Sequence, residues 1–443
     1  MAQLDHHPTV QRVRSQPDRQ APPPRLNAAE LRQLCLDAGA DDVGFVSISR
    51  QELDGQRTEI QDAFPSTQTL VSIVCRMNRE AIRSPTRSVA NLEFHETTDH
   101  ANVAAREIVR RLEDRGIRAL NPAAGFPMEM SRFPGRIWVV SHKPVAVAAG
   151  LGQMGVHRNV IHPRFGNFII LATVLVAAPI DRDSTPIEYN PCLTCKLCVA
   201  ACPVGAISPE GRFDFSACMT HNYREFMNGF SDWVETVADS RSAVDYRHRV
   251  SDSETASMWQ SLSFGPNYKA AYCLAVCPAG DDVIAPFLSN RAEFVSETLK
   301  PLQQKQETLY VVPNSDAEEY AARRFPHKVL QSVRGIRPTT IAGFVAGMQH
   351  VFQPGQSKGL NAIYHFSFHG SETQDATVAI QDQGITVQHG LYGKADCSVK
   401  ADAATWLGFL RKEKSIVWAI IRRKVRVTGP LSLLTKFGKC FPS

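Results

Sequence analysis

One run of cysteines constrains this chain more than any other feature: Cys192-Leu-Thr-Cys195-Lys-Leu-Cys198-Val-Ala-Ala-Cys202-Pro203. Thiolates at successive three-residue steps let a short loop wrap a cubane and offer one sulfur to each of three irons. The fourth cysteine of such a run ligates a second cluster. Zinc is the main rival, but zinc usually takes two separated cysteine pairs. The run is therefore read as the core of a [4Fe–4S] site. A partner run must supply the missing thiolate, and Cys273-Leu-Ala-Val-Cys277-Pro278 is its tail. By the crossed pairing of two-cluster proteins, Cys277 joins Cys192, Cys195 and Cys198. Cys202, Cys273 and the lone Cys218 are left for the second site. A cysteine three residues before Cys273 is the usual pattern, but Ala270 stands there. The second site is one thiolate short. It is read as a three-iron [3Fe–4S] cluster, or as a four-iron cluster with water, substrate or a side chain on its open iron. His221 is the nearest non-thiolate candidate, although an isolated histidine is more often structural. Cys35, Cys75, Cys397 and Cys440 lie in periodic apolar segments and read as core thiols.

At 443 residues the chain is too long for one core. The longest apolar run, 168–180, falls short of a membrane-spanning helix and reads as a buried strand. Residues 1–26 are rich in Gln, Arg and Pro, without the apolar stretch of a secretory signal or a twin-arginine motif. They are expected to be a disordered arm on a cytoplasmic protein, where eleven cysteines favour metal ligation over disulfides. From Ala401 onward nine Lys or Arg face two acids, a net of +7, so the other 400 residues sum to −2. That footprint suits an anionic partner, lipid headgroups or nucleic acid, or else a solvated charged face.

Asn27-Ala-Ala-Glu30 is a capping-box pattern opening a helix. Strands are expected at 43–48, 70–75, 117–120, 137–140 and 168–177, with an amphipathic helix over 103–115. Helices alternating with strands predict an α/β domain over 27–185. The cysteine-rich unit follows at 186–290, then a charged connector with helical content at 291–339 and a last α/β domain at 340–443. That domain should hold a helix with Phe344, Met348 and Phe352 on one face, strands at 362–368, 376–380 and 385–388, a helix at 403–410, a strand around Val425 and Val427, and a helix over 430–441.

Ala149-Gly150-Leu-Gly152-Gln-Met-Gly155 fits a dinucleotide-binding pattern. No acid occurs between Gly150 and Ile180, so the ribose partner of a nicotinamide site is missing. The glycines indicate a close backbone turn against a ligand or a packed strand. Around them lie His142, Lys143, His157, Arg158, His162 and Arg164, cationic donors suited to a phosphate-bearing or carboxamide-rich cofactor.

The stretch from Ser141-His-Lys-Pro through Ala-Gly-Leu-Gly to Ile161-His-Pro-Arg-Phe-Gly166, followed by the two cysteine runs, resembles epoxyqueuosine reductases and reductive dehalogenases. The resemblance implies a nitroreductase-like α/β domain holding a corrinoid (cobalamin) and a two-cluster ferredoxin-like domain that feeds it electrons. Lys143, Gly150, Gly152, Gly155, His157 and His162 would then bind the cofactor. Epoxyqueuosine reductases carry an acidic proton donor in an Asp-x-x-Pro stretch, whereas this chain reads Ser141-His-Lys-Pro144. His142 is the replacement expected to deliver the proton. Residues 340–443 resemble a sterol carrier protein 2 domain. The likeness rests on 376–380, 384–387, 395–399, 401–410 and 425–429, and it implies an apolar tunnel. Leu407, Phe409, Leu410, Trp418, Leu433, Leu434 and Phe437 would line it, or make an ordinary core. The leading expectation is a reductase of an organic substrate, supplied by a ferredoxin or flavodoxin. The alternatives are a ferredoxin-type electron carrier and a lipid-responsive binding protein.

Overall fold

The computed structural model describes residues 5–15, 25–132, 136–192 and 194–442. Its first sheet takes strands β1 (Asp42–Ser47), β2 (Thr69–Arg76), β3 (Ala119–Leu120) and β6 (Ile169–Val176) in the order β1-β2-β6-β3. Every pairing in it is antiparallel. β4 (Gln153–Met154) and β5 (Val160–Ile161) form a separate small ribbon.

The central strands β2 and β6 are apolar on both faces because both faces are covered. Val71, Ile73, Ala172 and Val174 point into one core with the Ala28–Asp37 and Arg87–Asp114 helices. Leu70, Val74, Leu171 and Leu175 point into the other, beneath the His142–Ala148 helix. This is the period-2 alternation of a strand buried between two layers. Asn27 caps its helix as the sequence indicates, accepting from the Glu30 N–H at 3.0 Å.

Several expectations need correction. The amphipathic helix begins at Arg87, sixteen residues before the expected start at Val103, because its first half buries Ala90, Asn91 and Thr97 and shows no apolar stripe. Ile137 and Val140 are buried without joining a strand ladder. Within the expected disordered arm, Pro8–Arg14 is a short helix capped by His7; Pro22, Pro23 and Pro24 lie outside the described residues.

The expected connector is folded. β7 (Thr308–Val311), the Asp316–Arg324 helix and β8 (Val329–Ser332) make a parallel βαβ unit. Leu299, Leu302, Val311 and Ala317 pack in one core with Leu197, Cys198, Cys202 and Val276 of the cysteine-rich stretch. Arg224, buried there, pairs with Asp232 at 2.6 Å and Glu254 at 2.8 Å.

The C-terminal sheet has the order β11-β10-β9-β12-β13, from β9 (Ala362–His369), β10 (Gln374–Gln381), β11 (Gly384–His389), β12 (Cys397–Asp402) and β13 (Val425–Thr428). Ala362, Tyr364, Phe366 and Phe368 alternate inward along β9. They meet Phe344, Met348, Trp406 and Phe437 from the Ile341–Val351, Ala403–Leu410 and Leu431–Lys439 helices. Among the expected tunnel residues Leu407 and Phe437 are buried, whereas Trp418 is 60% exposed. Among the described residues no helix is long and apolar enough to cross a membrane.

Candidate iron–sulfur site and adjoining recess

The two cysteine runs fold as repeats of one local motif. Lys196 and Ala271 both adopt left-handed backbone, at φ 54° and 53°. Each precedes a short helix, Leu197–Ala201 carrying Cys198 and Tyr272–Ala275 carrying Cys273. Cys202-Pro203 and Cys277-Pro278 close the two helices in the same register. On this register Ala270 is the counterpart of Cys195. Ala270 is buried, and its N–H is held by Asn222 Oδ1 at 3.0 Å.

All eleven thiols are free. Cys198 lies close enough to Cys273, Cys277, Cys192 and Cys195 for each to act on its ionisation. Cys277 likewise feels Cys195 and Cys192. Cys218 and Cys273 each feel Cys202, and Cys218 feels Cys273. Cys273 thus lies near both sets, acting on Cys198 and Cys277 as well as on Cys218. Burial, above all else, pushes the Cys273 and Cys277 thiols up to about 12. Backbone N–H groups oppose it, from Leu197 to Cys195, Ala279 to Cys277 and four successive residues, Gly205 among them, to Cys202. The Ala206 N–H meets Cys202 Sγ at 3.2 Å. Buried thiols with amide donors fit a polynuclear thiolate centre, whose net negative charge those donors stabilise. Among the described residues no three His, Cys, Asp or Glu side chains close around a single-ion point.

Lys143 is open to solvent, yet desolvation holds its ammonium below the ordinary lysine value, against the pull of Cys273 and Cys218. Cys218, Cys273, Tyr223 and Tyr268 combine partial exposure with strongly desolvated groups in the same way. Lys143, Cys218, Cys273, Tyr223 and Tyr268 act on one another's ionisation and so border one candidate recess. Its aromatic wall continues from Tyr223 to Tyr268, ring centroids 5.5 Å apart, and to Phe226 and Phe126. Nothing in the sequence singles out Tyr223 or Tyr268, because no motif spacing joins them to the cysteines. A cavity of about 400 Å³ opens beside Cys192, with Met154, Gly155, Arg158, Asn190 and Lys196 around it.

The other residues singled out in the sequence are held by the protein itself. His142 Nε2 donates to the Ala123 carbonyl at 3.0 Å, and its Nδ1 faces Thr173 Oγ1 at 2.9 Å. Desolvation lowers its pKa, so it is a neutral ring pinned at both nitrogens and not a free proton donor. His157 accepts from the Asn159 N–H, and burial followed by the Lys143 charge brings it to about 4. His162 Nε2 meets Asp42 Oδ2 at 2.9 Å, and its Nδ1 accepts from the Arg164 N–H. A Cβ at Gly150 would lie 2.4 Å from the Thr185 carbonyl, and one at Gly152 the same distance from that of Ile161. Both glycines have positive φ, so a tight fold of the chain on itself accounts for them. At Gly155 a Cβ would strike the His157 ring. His221 Nδ1 accepts from the Tyr310 N–H and its ring stacks on that of Tyr310, while its buried Nε2 has no partner among the described residues. Of the residues assigned to a corrinoid, Lys143 lies near Cys218 and Cys273, and Gly155 lines the cavity beside Cys192.

Residues 352–442 match the SCP-2 sterol transfer family. The epoxyqueuosine reductase of Leadbetterella byssophila is 35% identical over 97 residues, which are 21% of this chain and 31% of that one. The matched stretch thus spans about a third of that relative. The solved epoxyqueuosine reductase from Streptococcus thermophilus is 16% identical, with a TM-score of 0.33 over 61% of this chain and 74% of that one. A catabolic reductive dehalogenase is 15% identical, with a TM-score of 0.39 over 64% of this chain and 35% of that one. Superpositions this weak carry no argument about mechanism. This chain therefore resembles the epoxyqueuosine reductase and reductive dehalogenase group, joined to a C-terminal segment of the SCP-2 sterol transfer type.

Proposed function

We propose that this chain is an iron–sulfur reductase acting on an organic substrate in the Lys143 recess, with a lipid-binding C-terminal segment. One observation carries the reading. Seven thiols from three stretches of sequence lie close enough to act on one another's ionisation, with amide donors at Cys195, Cys202 and Cys277. Cys192, Cys195, Cys198 and Cys277 would hold a [4Fe–4S] cluster. Cys202, Cys218 and Cys273 would hold a second centre with one coordination position not filled by thiolate. Bound clusters supply one-electron transfer; the remaining chemistry falls to side chains. Arg158 and Lys196, beside the half-exposed Cys192, present positive charge to an acidic donor such as a ferredoxin or flavodoxin. On the recess side, Lys143 is fixed by the Arg158 carbonyl at 2.7 Å and Asn159 Oδ1 at 2.9 Å, which aims its charge at an anionic or carbonyl oxygen of the substrate. Tyr223 and Tyr268 lend it an aromatic wall. Eleven free thiols suit a reducing compartment, so a cytoplasmic location belongs to the same proposal.

In the C-terminal domain the buried Trp406 Nε1 has no acceptor among the described residues. A buried indole N–H normally finds one, and the carbonyl or hydroxyl of a long-chain lipid fits that position. Metal and sulfide analysis with EPR on anaerobically purified protein tests the reductase reading. About seven or eight irons per chain are expected. Iron below about one per chain overturns the reading. Stoichiometric cobalt would return a corrinoid to the recess.

A further inference from the structure

The Ile416–Ile421 helix is the least covered apolar element of the C-terminal domain. Of its six side chains Ala419 alone is buried. Val417, Trp418 and Ile421 are 61%, 60% and 61% exposed. Leu431, 63% exposed, follows β13, the strand this helix packs against. Single exposed apolar residues are ordinary, but a tryptophan with two aliphatic neighbours on one short helix is a patch. Cations surround it. Lys412 and Lys414 precede the helix, and Arg422, Arg423, Lys424 and Arg426 follow. Of the nearby acids, Glu413 is taken by Arg411 at 3.1 Å, and Asp402, close to Lys424, accepts from the Thr405 N–H and hydroxyl. Arg422 sits 5.9 Å over the Trp418 ring, and no salt bridge among the described residues engages Arg423 or Arg426.

Apolar tips ringed by guanidinium and ammonium groups, with tryptophan at the boundary, match the layering of a bilayer surface: hydrocarbon inside, phosphate outside. Nucleic acid would take the cations but leave the aliphatic tips in water. We propose that this helix and its flanking cations dock the chain on an anionic lipid bilayer. Val417, Trp418 and Ile421 enter the headgroup–acyl boundary, and Arg422, Arg423 and Lys424 meet lipid phosphates. The proposal is independent of the cluster chemistry. It brings the SCP-2-type segment to the surface from which a lipid would be drawn.

The test is co-sedimentation of the full chain with vesicles of phosphatidylcholine alone or mixed with phosphatidylglycerol. Binding to the mixed vesicles, about tenfold or more tighter than to neutral ones and weakening with salt, is expected. Trp418→Ser with Ile421→Ser, and separately Arg422→Gln with Arg423→Gln and Lys424→Gln, should each lower it about tenfold. All five residues are exposed, and circular dichroism checks that the fold is kept. Tryptophan emission should shift to the blue on mixed vesicles, and Trp418→Phe should abolish most of that shift. Wild-type protein that ignores anionic vesicles at low salt, variants that bind like wild type, or a blue shift that survives Trp418→Phe would overturn the proposal. So would preferential capture by mixed-sequence RNA or DNA when vesicles compete.

Discussion

Replacing Ala270 with cysteine is the sharpest perturbation of the proposed site. Lys196 and Ala271 share one left-handed conformation, and Cys198 and Cys273 follow each at the same offset, so position 270 presents its Cβ as position 195 does. The Asn222 side chain already fixes the Ala270 N–H, and the substitution need not move backbone. A thiolate there completes a four-cysteine set with Cys202, Cys218 and Cys273. Iron content should rise by about one per chain, from about seven towards about eight. Compared with a four-iron form whose open position holds water, the thiolate adds one negative charge and disfavours reduction. One negative charge about 5 Å from the cluster centre, at an effective dielectric of about 20, is worth about 3 kcal/mol. That lowers the midpoint potential of the second centre by about 130 mV. The assay is iron and sulfide analysis with an EPR-monitored redox titration of both proteins. The wild type should give a three-iron signal on mild oxidation, and Ala270→Cys should lose it. Eight irons in oxidised wild type, unchanged in the variant, would refute the reasoning, because some other side chain would already fill the place.

Cys195→Ser should remove most iron from the four-thiolate group and lower the thermal midpoint, since metal binding contributes folding free energy; an intact reduced [4Fe–4S] EPR signal would contradict it. NADH and NADP should show no micromolar binding in a fluorescence titration, because the carbonyls of Thr185 and Ile161 occupy the space at Gly150 and Gly152. His221 titrates at about 4, held down chiefly by burial and then by Lys269, Lys328 and Lys305 against Glu307. Its unfolded form binds a proton near 6.5 while the folded form does not, so stability should fall as pH drops from 6.5 to 4, by up to about 3 kcal/mol. His221→Gln should flatten that slope in denaturant melts compared with wild type. A fragment from Thr340 to Ser443 should fold alone and bind a fluorescent fatty acid, and Trp406→Phe should weaken that binding about tenfold; a folded fragment that excludes every acyl and sterol probe leaves the domain a structural one.

Much of the architecture is legible in the sequence because it rests on local periodicity. The core strands β2 and β6, and the inward row of β9, read directly from runs of apolar residues. Other features were hidden for physical reasons. The first half of the Arg87–Asp114 helix buries small and polar side chains, so no stripe marks it. The βαβ unit at 308–332 reads as charged linker because its helix, Asp316–Arg324, carries three acids at one end and two arginines at the other. Tertiary hydrogen bonds decide the histidines: His142, His157 and His162 look like a cationic cluster in sequence, and each is claimed by a different partner in space. The recess residues Tyr223 and Tyr268 come together only through folding of the segment between the cysteine runs.

The proposed crossing of Cys277 into the group of Cys192, Cys195 and Cys198 would have a topological consequence. A cluster spanning Cys198 and Cys277 ties off a loop of about 80 residues, whose chain entropy in the unfolded state falls by about 4.5 kcal/mol at room temperature. Within that loop lie the Met227–Ala238, Ala243–Arg249 and Asp252–Phe264 helices, whose surface leaves Val234, Val237, Val244, Trp259, Leu262 and Phe264 exposed. The inorganic centre therefore acts as a knot on a segment with modest burial of its own. Oxidative loss of iron should register first as protease cleavage between residues 227 and 264, before any change reaches the sheet of β1, β2, β3 and β6.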